Sequence, residues 1–403
     1  MPDIHFYLSS TADPVTPDHP LWDRPLPRYR NADAGFLSDE ADTLYKDYFS
    51  AIAAFCESDN WAPVTAAVTS LLERPVTPDR ISSIWVFLEK HGAFYHPARL
   101  QIQVEGRQFS FVINVAVSAC GRKTLPEEIR ALSWLHNHRP FGWVPEVYHH
   151  RRQTLSNGRE MAFFLGTWFD GYHEFHLSRS KPDRPEKKSS ENPQDLSMVV
   201  WDGAARPTHL SEDRVAAVYQ QASLILSACY DLVTTKQIFP WHHAAGDFVV
   251  RFTDEGGVSV RLITVRGRAP VLAMPDQKDM DETAILDGLM FFFIHLTLQM
   301  RLDREDGVGK VVWAPETTVC PVITGFFQGL DLSAKLSGLP DTFPDFFRQW
   351  FIRYPTDALY QRARTVTETF FPGNHEEQQI VARHLKTHLN AVCLGMQALS
   401  SGG

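Results

Sequence analysis

The chain has 403 residues, of which 44% are hydrophobic and 22% charged, and a formal net charge of −9. That length exceeds one ordinary core and implies roughly two or three packed units. The acidic balance excludes the basic footprint of a nucleic-acid-binding or membrane-surface protein, so neither kind of partner is expected. Five cysteines, at 56, 120, 229, 320 and 393, are odd in number and widely spaced. They suit neither a disulfide framework nor a Cys-based zinc site, and read as buried reduced thiols of a cytoplasmic protein.

The N-terminus, Met-Pro-Asp-Ile-His, lacks a basic start and a long apolar core and reads as no signal peptide. Residues 9–36 are rich in Pro and Asp and read as an irregular arm. Ser38, followed by Asp39, Glu40 and Asp42, is a good N-cap for a helix to about Cys56. A second short helix is expected from Ala62 to Glu73. From Ile81 the composition turns β-branched and aromatic: Ile81–Glu89, Arg99–Val104 and Gln108–Ser118 read as strands, with Glu105-Gly106 as a tight turn. A helix is expected from Pro126 to His136, proline being tolerated near a helix start. Two more strands, Glu146–Arg152 and Glu160–Trp168, flank an Asn157-Gly158 hairpin turn.

Ser178–Asp195 is polar, charged and nearly free of apolar residues, and reads as a flexible insertion. Ser211 caps a helix to about Val233, with Val215, Val218, Ala222, Ile225, Leu226 and Cys229 on its apolar side. Short strands Phe248–Phe252 and Val258–Val265 follow, and 279–399 reads as mainly helical. The most apolar stretch, Ile285–Met300, contains Asp287 and His295. It falls short of the ~20 residues of a spanning helix and reads as a buried core helix, so no membrane is expected.

Three segments then resemble the aminoglycoside/choline phosphotransferase family. Glu128-Ile-Arg-Ala-Leu-Ser-Trp-Leu135, followed by Val144-Pro-Glu-Val147, resembles that family's helix and following strand. Leu165-Gly-Thr-Trp-Phe-Asp-Gly171 resembles its hinge. Pro240-Trp-His-His-Ala-Ala-Gly-Asp-Phe-Val-Val250 has the shape of its catalytic loop entering a strand. The resemblance implies an α+β, two-lobed protein-kinase-like fold, a small antiparallel sheet lobe plus a larger mainly helical lobe. Its divisions are an N-terminal arm and helices (1–80), a sheet lobe (81–168), a hinge and flexible insertion (169–204) and a helical lobe (205–403).

Phosphoryl transfer depends on positioning and charge neutralisation. The resemblance places Asn114 at the position of the phosphate-holding lysine, with Val112 on the same side lining an adenine pocket. It matches Glu128 to the glutamate that orients that lysine, or Glu127 if the register slips by one. Asp247 falls at the magnesium-ligand asparagine and His242 where the catalytic aspartate belongs. Thr264 stands for the second magnesium aspartate, with Arg266 nearby as a source of positive charge. ATP and Mg are the implied cofactors.

Asn114, His242 and Thr264 each lack a charge that the family's mechanism uses. Two readings follow. In one, the chain is a pseudokinase-like protein that binds a nucleotide, another small molecule between its lobes, or a protein partner. In the other, it is an active, non-standard ATP-dependent phosphotransferase or nucleotidyltransferase with His242 as base. His242, His243 and Asp247 also read as a hydrogen-bonded structural loop, or as a transition-metal cluster. His91–Pro97 lies where a phosphate-covering turn belongs but has one glycine. His149-His-Arg-Arg152 reads as a charged strand edge. Without a lysine to orient, Glu128 reads equally as an exposed first-turn acid.

Overall fold

The alternation Ile4, Phe6, Leu8 against His5 and Tyr7 makes a two-faced strand of the N-terminus, β1 (Asp3–Leu8). The structure, a computed structural model, describes residues 2–9, 13–27, 42–92, 94–179, 196–202, 207–242, 246–253, 255–271, 282–371 and 375–399. The chain is α+β and divides into two units, Met1–Asp170 and Gly171–Gly403. The Ser38 cap and most of the expected insertion, 180–195, lie outside the described residues.

In the first unit β1 is followed by α1 (Tyr45–Leu72), β2 (Ile81–Leu88), β3 (His96–Val104), β4 (Arg107–Ala116), α2 (Ala119–His138), β5 (Val147–Thr154) and β6 (Glu160–Thr167). The strands form one six-stranded sheet in the order β1-β2-β3-β4-β6-β5. The expectation of a five-stranded antiparallel sheet is corrected here. β1 adds a sixth strand and runs parallel to β2, so the sheet is mixed. A parallel partner needs a long crossover, and α1 supplies it.

α1 contains the break expected between two helices. Ser58 is extended and Asp59, Asn60 and Trp61 have positive φ, so the backbone leaves the helix and re-enters it. Tyr48, Phe49, Ile52, Phe55, Val64 and Val68 from α1 share one buried cluster with Val86, Leu100, Phe111, Ile113 and Phe163 of the sheet, and the partly buried Phe6 packs against it. Residues from the first 80 positions therefore help build the core of this sheet.

α2 packs against β4, β5 and β6. It starts at Ser118, whose hydroxyl accepts the Gly121 amide, and Pro126 lies inside the helix instead of at its start. Gly121 is required there: a Cβ would stand 2.2 Å from the Phe94 carbonyl.

The second unit opens with β7 (Glu174–Arg179), β8 (Leu196–Trp201) and β9 (Thr208–His209), a three-stranded sheet. Residues expected to form a hinge and insertion thus include two paired strands. Then come α3 (Glu212–Ala228), capped by Ser211, β10 (Lys236–Ile238), β11 (Phe248–Phe252), β12 (Val258–Leu262) and β13 (Arg268–Pro270). The remainder is α4 (Glu282–Gln299), β14 (Leu302–Arg304), β15 (Val311–Trp313), α5 (Val319–Leu336), α6 (Phe343–Ile352), α7 (Thr356–Phe370) and α8 (His375–Ala398).

α4 is buried on all sides through Leu289–Leu298, as its uniform apolarity predicts. No described helix is long and apolar enough to cross a membrane. All five cysteines are free thiols, but the expectation that they are buried holds only for Cys56 and Cys229: Cys120 and Cys393 are half-buried and Cys320 is exposed.

α3 and α5 approach closely because Gly325 and Gly329 present no side chain. A Cβ on Gly325 would lie 1.9 Å from the Gln220 carbonyl, and one on Gly329 would lie 2.4 Å from the Leu224 carbonyl. Ser223 and Ser333 hydroxyls donate across the same crossing to the Val322 and Tyr230 carbonyls, at 2.7 and 2.6 Å. Because the clash is with backbone, relief requires the helices to part. Gly325→Ala is expected to lower the unfolding free energy by at least about 1–3 kcal/mol, the usual cost of overpacking. A denaturant midpoint equal to the parent's would contradict this packing.

Buried histidines set an acid limit. Burial, with His91 adding, lowers His96 from 6.5 to about 4. Burial lowers His295 to about 3, and burial with help from Arg301 and His384 lowers His388 to about 3. Their folded values lie below the unfolded one, so the stabilisation is complete above pH 6.5 and is lost as pH falls toward the folded values. Each histidine contributes about 1.4 kcal/mol per pH unit in that window. Asp303, which burial raises to about 7, works oppositely between roughly pH 4 and 7 and offsets one histidine of the second unit. Both units should still lose stability from pH 6.5 to 4.5. Unchanged unfolding midpoints across that range would contradict neutral buried rings.

Candidate functional site

The chain leaves β10 at Ile238, runs through a loop to Asp247, makes the β11–β12 hairpin, and returns through 263–267 to pair β13 against β10. Two loop segments are therefore brought side by side, and Asp247 is where they join. Its carbonyl accepts the Ile263 amide at 2.7 Å. Its carboxylate, 1% exposed, accepts the His242 amide at 2.7 Å through Oδ2. Both oxygens also accept from the Arg266 fork, at 2.7 Å each. Bidentate guanidinium–carboxylate pairing is among the strongest charge-assisted arrangements. Arg266 thus neutralises a carboxylate that could not otherwise be buried cheaply.

The loop rests on α4. Gln299 Nε2 donates to the Trp241 carbonyl at 3.5 Å, and the Trp241 ring meets Phe248 and His295 edge-on. His242 Nε2 lies 3.8 Å from Glu377 Oε1 at the start of α8, with both side chains largely buried. The neighbouring Glu376 accepts the Val311 amide of β15 at 3.2 Å. Glu377 is a partner that the sequence did not announce; it lies far along the chain and nothing near it marks it.

Among the four candidates in this unit, Asp247, Arg266 and the His242 backbone are brought together. Thr264 is half-buried in the return segment, two residues before Arg266. His243 lies outside the described residues, and no group of three or more metal-ligating side chains occurs among the described ones.

The other candidates lie in the first unit. Val112 and Asn114 share the β4 face opposite the core cluster. Asn114 stands between Pro97 of β3 and Phe164 of β6, and Val112 between Arg99 and Gly166. Arg99 therefore shares the face of Val112. Its guanidinium lies 4.6 Å from the Phe87 ring and 5.7 Å from the Trp168 ring, and its Nε donates to Glu89 at 2.8 Å. A held cation thus stands beside the residue expected to line an adenine pocket.

The register of α2 is settled by burial. Glu128 is 1% exposed, which corrects the expectation of a solvated first-turn acid, while Glu127 is exposed and pairs with Arg130. α2 begins seven residues before Pro126, which moves Glu128 from its first turn to its buried middle.

The expected phosphate-covering turn is tied down. His91 and His96 share a hydrogen bond between their Nδ1 atoms at 2.9 Å, and Tyr48 donates to the His96 carbonyl at 2.8 Å. On the β5 edge, Arg151 pairs with Asp59 and Arg152 with Glu160, as a charged strand edge would.

No family model matches the chain, and no curated protein matches it. Among solved structures, WaaP in complex with acyl carrier protein is similar over 67% of this chain and 85% of that chain, at 10% identity and a TM-score of 0.27.

Removing the Asp247 carboxylate leaves Arg266 and the His242 amide without their acceptor. Asp247→Ala is expected to cost about 3–5 kcal/mol, the range for breaking one side of a buried pair. An effect below about 1 kcal/mol in denaturant unfolding would show that the pair is not structural.

Proposed function

We propose that this chain is a phosphotransferase-like, two-lobed protein in which the loop carrying His242 and Asp247 acts as a structural joint. On this reading it is pseudokinase-like and serves to bind a small ligand or a protein partner. The observation that carries the reading is the Asp247–Arg266 fork: both carboxylate oxygens are bonded to a guanidinium, so a magnesium ion could reach either one only in competition with that cation. Hard divalent cations bind through oxygen ligands such as carboxylates, and a guanidinium already on both oxygens opposes their entry by like-charge repulsion.

The order of elements supports the fold half of the reading. A sheet with α2 inserted before its last two strands is followed by α3, a loop, and a hairpin whose flanking strands pair. The loss of charge at Asn114 supports weak ATP binding. Without a lysine, one charge-assisted phosphate contact worth roughly 1.5–3 kcal/mol is missing.

A second reading has one observation in its favour. A carboxylate beside an imidazole, as Glu377 is beside His242, is an arrangement that orients a general base. In that case the chain is an active, non-standard phosphotransferase using ATP and Mg, and Arg266 must release Asp247 when the metal enters.

Thermal unfolding with ATP, with and without Mg2+ or Mn2+, separates the two. A ligand at a hundredfold excess over its Kd stabilises by about 2.7 kcal/mol. The pseudokinase-like reading expects no metal-dependent shift at millimolar ATP. A clear Mg2+-dependent rise in Tm that Asp247→Asn removes would overturn it in favour of the second.

A further inference from the structure

The turn between β2 and β3 brings two imidazoles together. His91 is half-buried and His96 is 7% exposed, and their Nδ1 atoms stand 2.9 Å apart. The ring centres are 5.1 Å apart and the ring planes cross at 70°. The backbone that carries the pair is fastened at three points. The Glu89 amide donates to the Pro97 carbonyl at 3.1 Å, the Gly92 amide to the Tyr95 carbonyl at 3.0 Å, and the Tyr48 hydroxyl of α1 to the His96 carbonyl at 2.8 Å. Two rings of α1 flank the pair: Tyr45 meets His91 edge-on at 6.3 Å, and Tyr48 meets His96 edge-on at 6.2 Å.

We propose that His91 and His96 form a two-imidazole site for a late first-row divalent metal ion of the zinc class, held by both Nδ1 atoms and completed by water. The spacing of the rings carries the proposal. Two imidazoles on one tetrahedral zinc, each bonded at ~2.0–2.1 Å, hold their bonded nitrogens about 3.3–3.4 Å apart and their ring centres about 5.2 Å apart. The ring centres of His91 and His96 already stand at 5.1 Å. Metal entry therefore asks for a turn of the two rings that opens the Nδ1 pair by about half an ångström, with the strands unmoved. A site whose backbone is held in advance spends little of its binding energy on ordering.

The protonation state suits the same role. Burial, with His91 adding, lowers His96 to about 4, and burial lowers His91 as well. Both rings are thus largely neutral at pH 7, the form in which imidazole binds metal. The ring that donates in the hydrogen bond releases its Nδ1 proton to solvent and takes one up at Nε2, so no net proton is lost. Imidazole is a ligand that suits zinc, copper and nickel. Glu89, the carboxylate of this turn, accepts from Arg99 Nε at 2.8 Å, which leaves water to fill the remaining positions. The site lies wholly within the first unit and is independent of the reading given to the loop at Asp247.

Zinc titration of the full chain at pH 7 tests the site, with 15N NMR of labelled histidine rings as the readout. Two rings should pass together to the Nε2–H tautomer with the Nδ1 signals shifted by the metal, and this pair should be missing from the spectrum of His91→Ala. Calorimetry should show zinc binding in the parent that is weakened at least tenfold in that variant, since loss of a ligand's support alone costs about 10–100-fold. Histidines elsewhere bind equally in both proteins and cancel in the comparison. Equal zinc affinity and stoichiometry in parent and variant, or a parent in which the hydrogen-bonded Nδ1 pair persists at saturating zinc, would overturn the site.

Discussion

The bidentate bond between Arg266 and Asp247 is the constraint on which the candidate site depends. A carboxylate 1% exposed would be untenable alone, and the guanidinium makes its burial possible. In return Asp247 fixes two loop segments. Its backbone continues the β11–β12 pairing through Ile263, and its side chain holds the His242 amide. One residue thus sets where the imidazole sits, how the hairpin begins and where the return strand β13 must run. The same bond engages both carboxylate oxygens.

The rest of the second unit is arranged around that joint. Gly325 and Gly329 let α3 and α5 meet along their backbones, and α4 lies buried beneath the loop. α8 closes the arrangement: Glu376 holds β15 while Glu377 faces His242. A histidine between a backbone anchor and a carboxylate is well positioned whether or not it moves protons. Its position alone therefore does not make it a base.

Local signals in the sequence were reliable where the physics is local. The helix break near Ser58–Trp61, the strands β2–β6 and the Ser211 cap follow from alternation, turn residues and capping chemistry. β1 was missed although Ile4, Phe6 and Leu8 alternate, because a parallel strand has no adjacent turn to announce its partner. The start of α2 was misplaced because Pro126 suggests a first turn, whereas Ser118 caps the helix two turns earlier and packing of Leu125 and Leu132 carries it past the proline. At the site, the spacing of His242, Asp247 and Arg266 was legible. What it could not contain was partner choice. Arg266 binding Asp247, Glu377 facing His242 and Arg99 standing beside Val112 are each decided by tertiary packing. A sequence position matched to a catalytic role carries no information about which neighbour has already claimed its polar atoms.

The central claim is that Asp247 and Arg266 act as one structural unit, and a double-mutant cycle tests it directly. Unfolding free energies of the parent, Asp247→Asn, Arg266→Met and the double variant give the coupling between the two side chains. The account predicts a coupling of about 2–3 kcal/mol, with the double variant less destabilised than the sum of the singles. A coupling within about 0.5 kcal/mol of zero would mean that the fork contributes nothing to the fold, and would return Asp247 to the list of groups free for metal and catalysis.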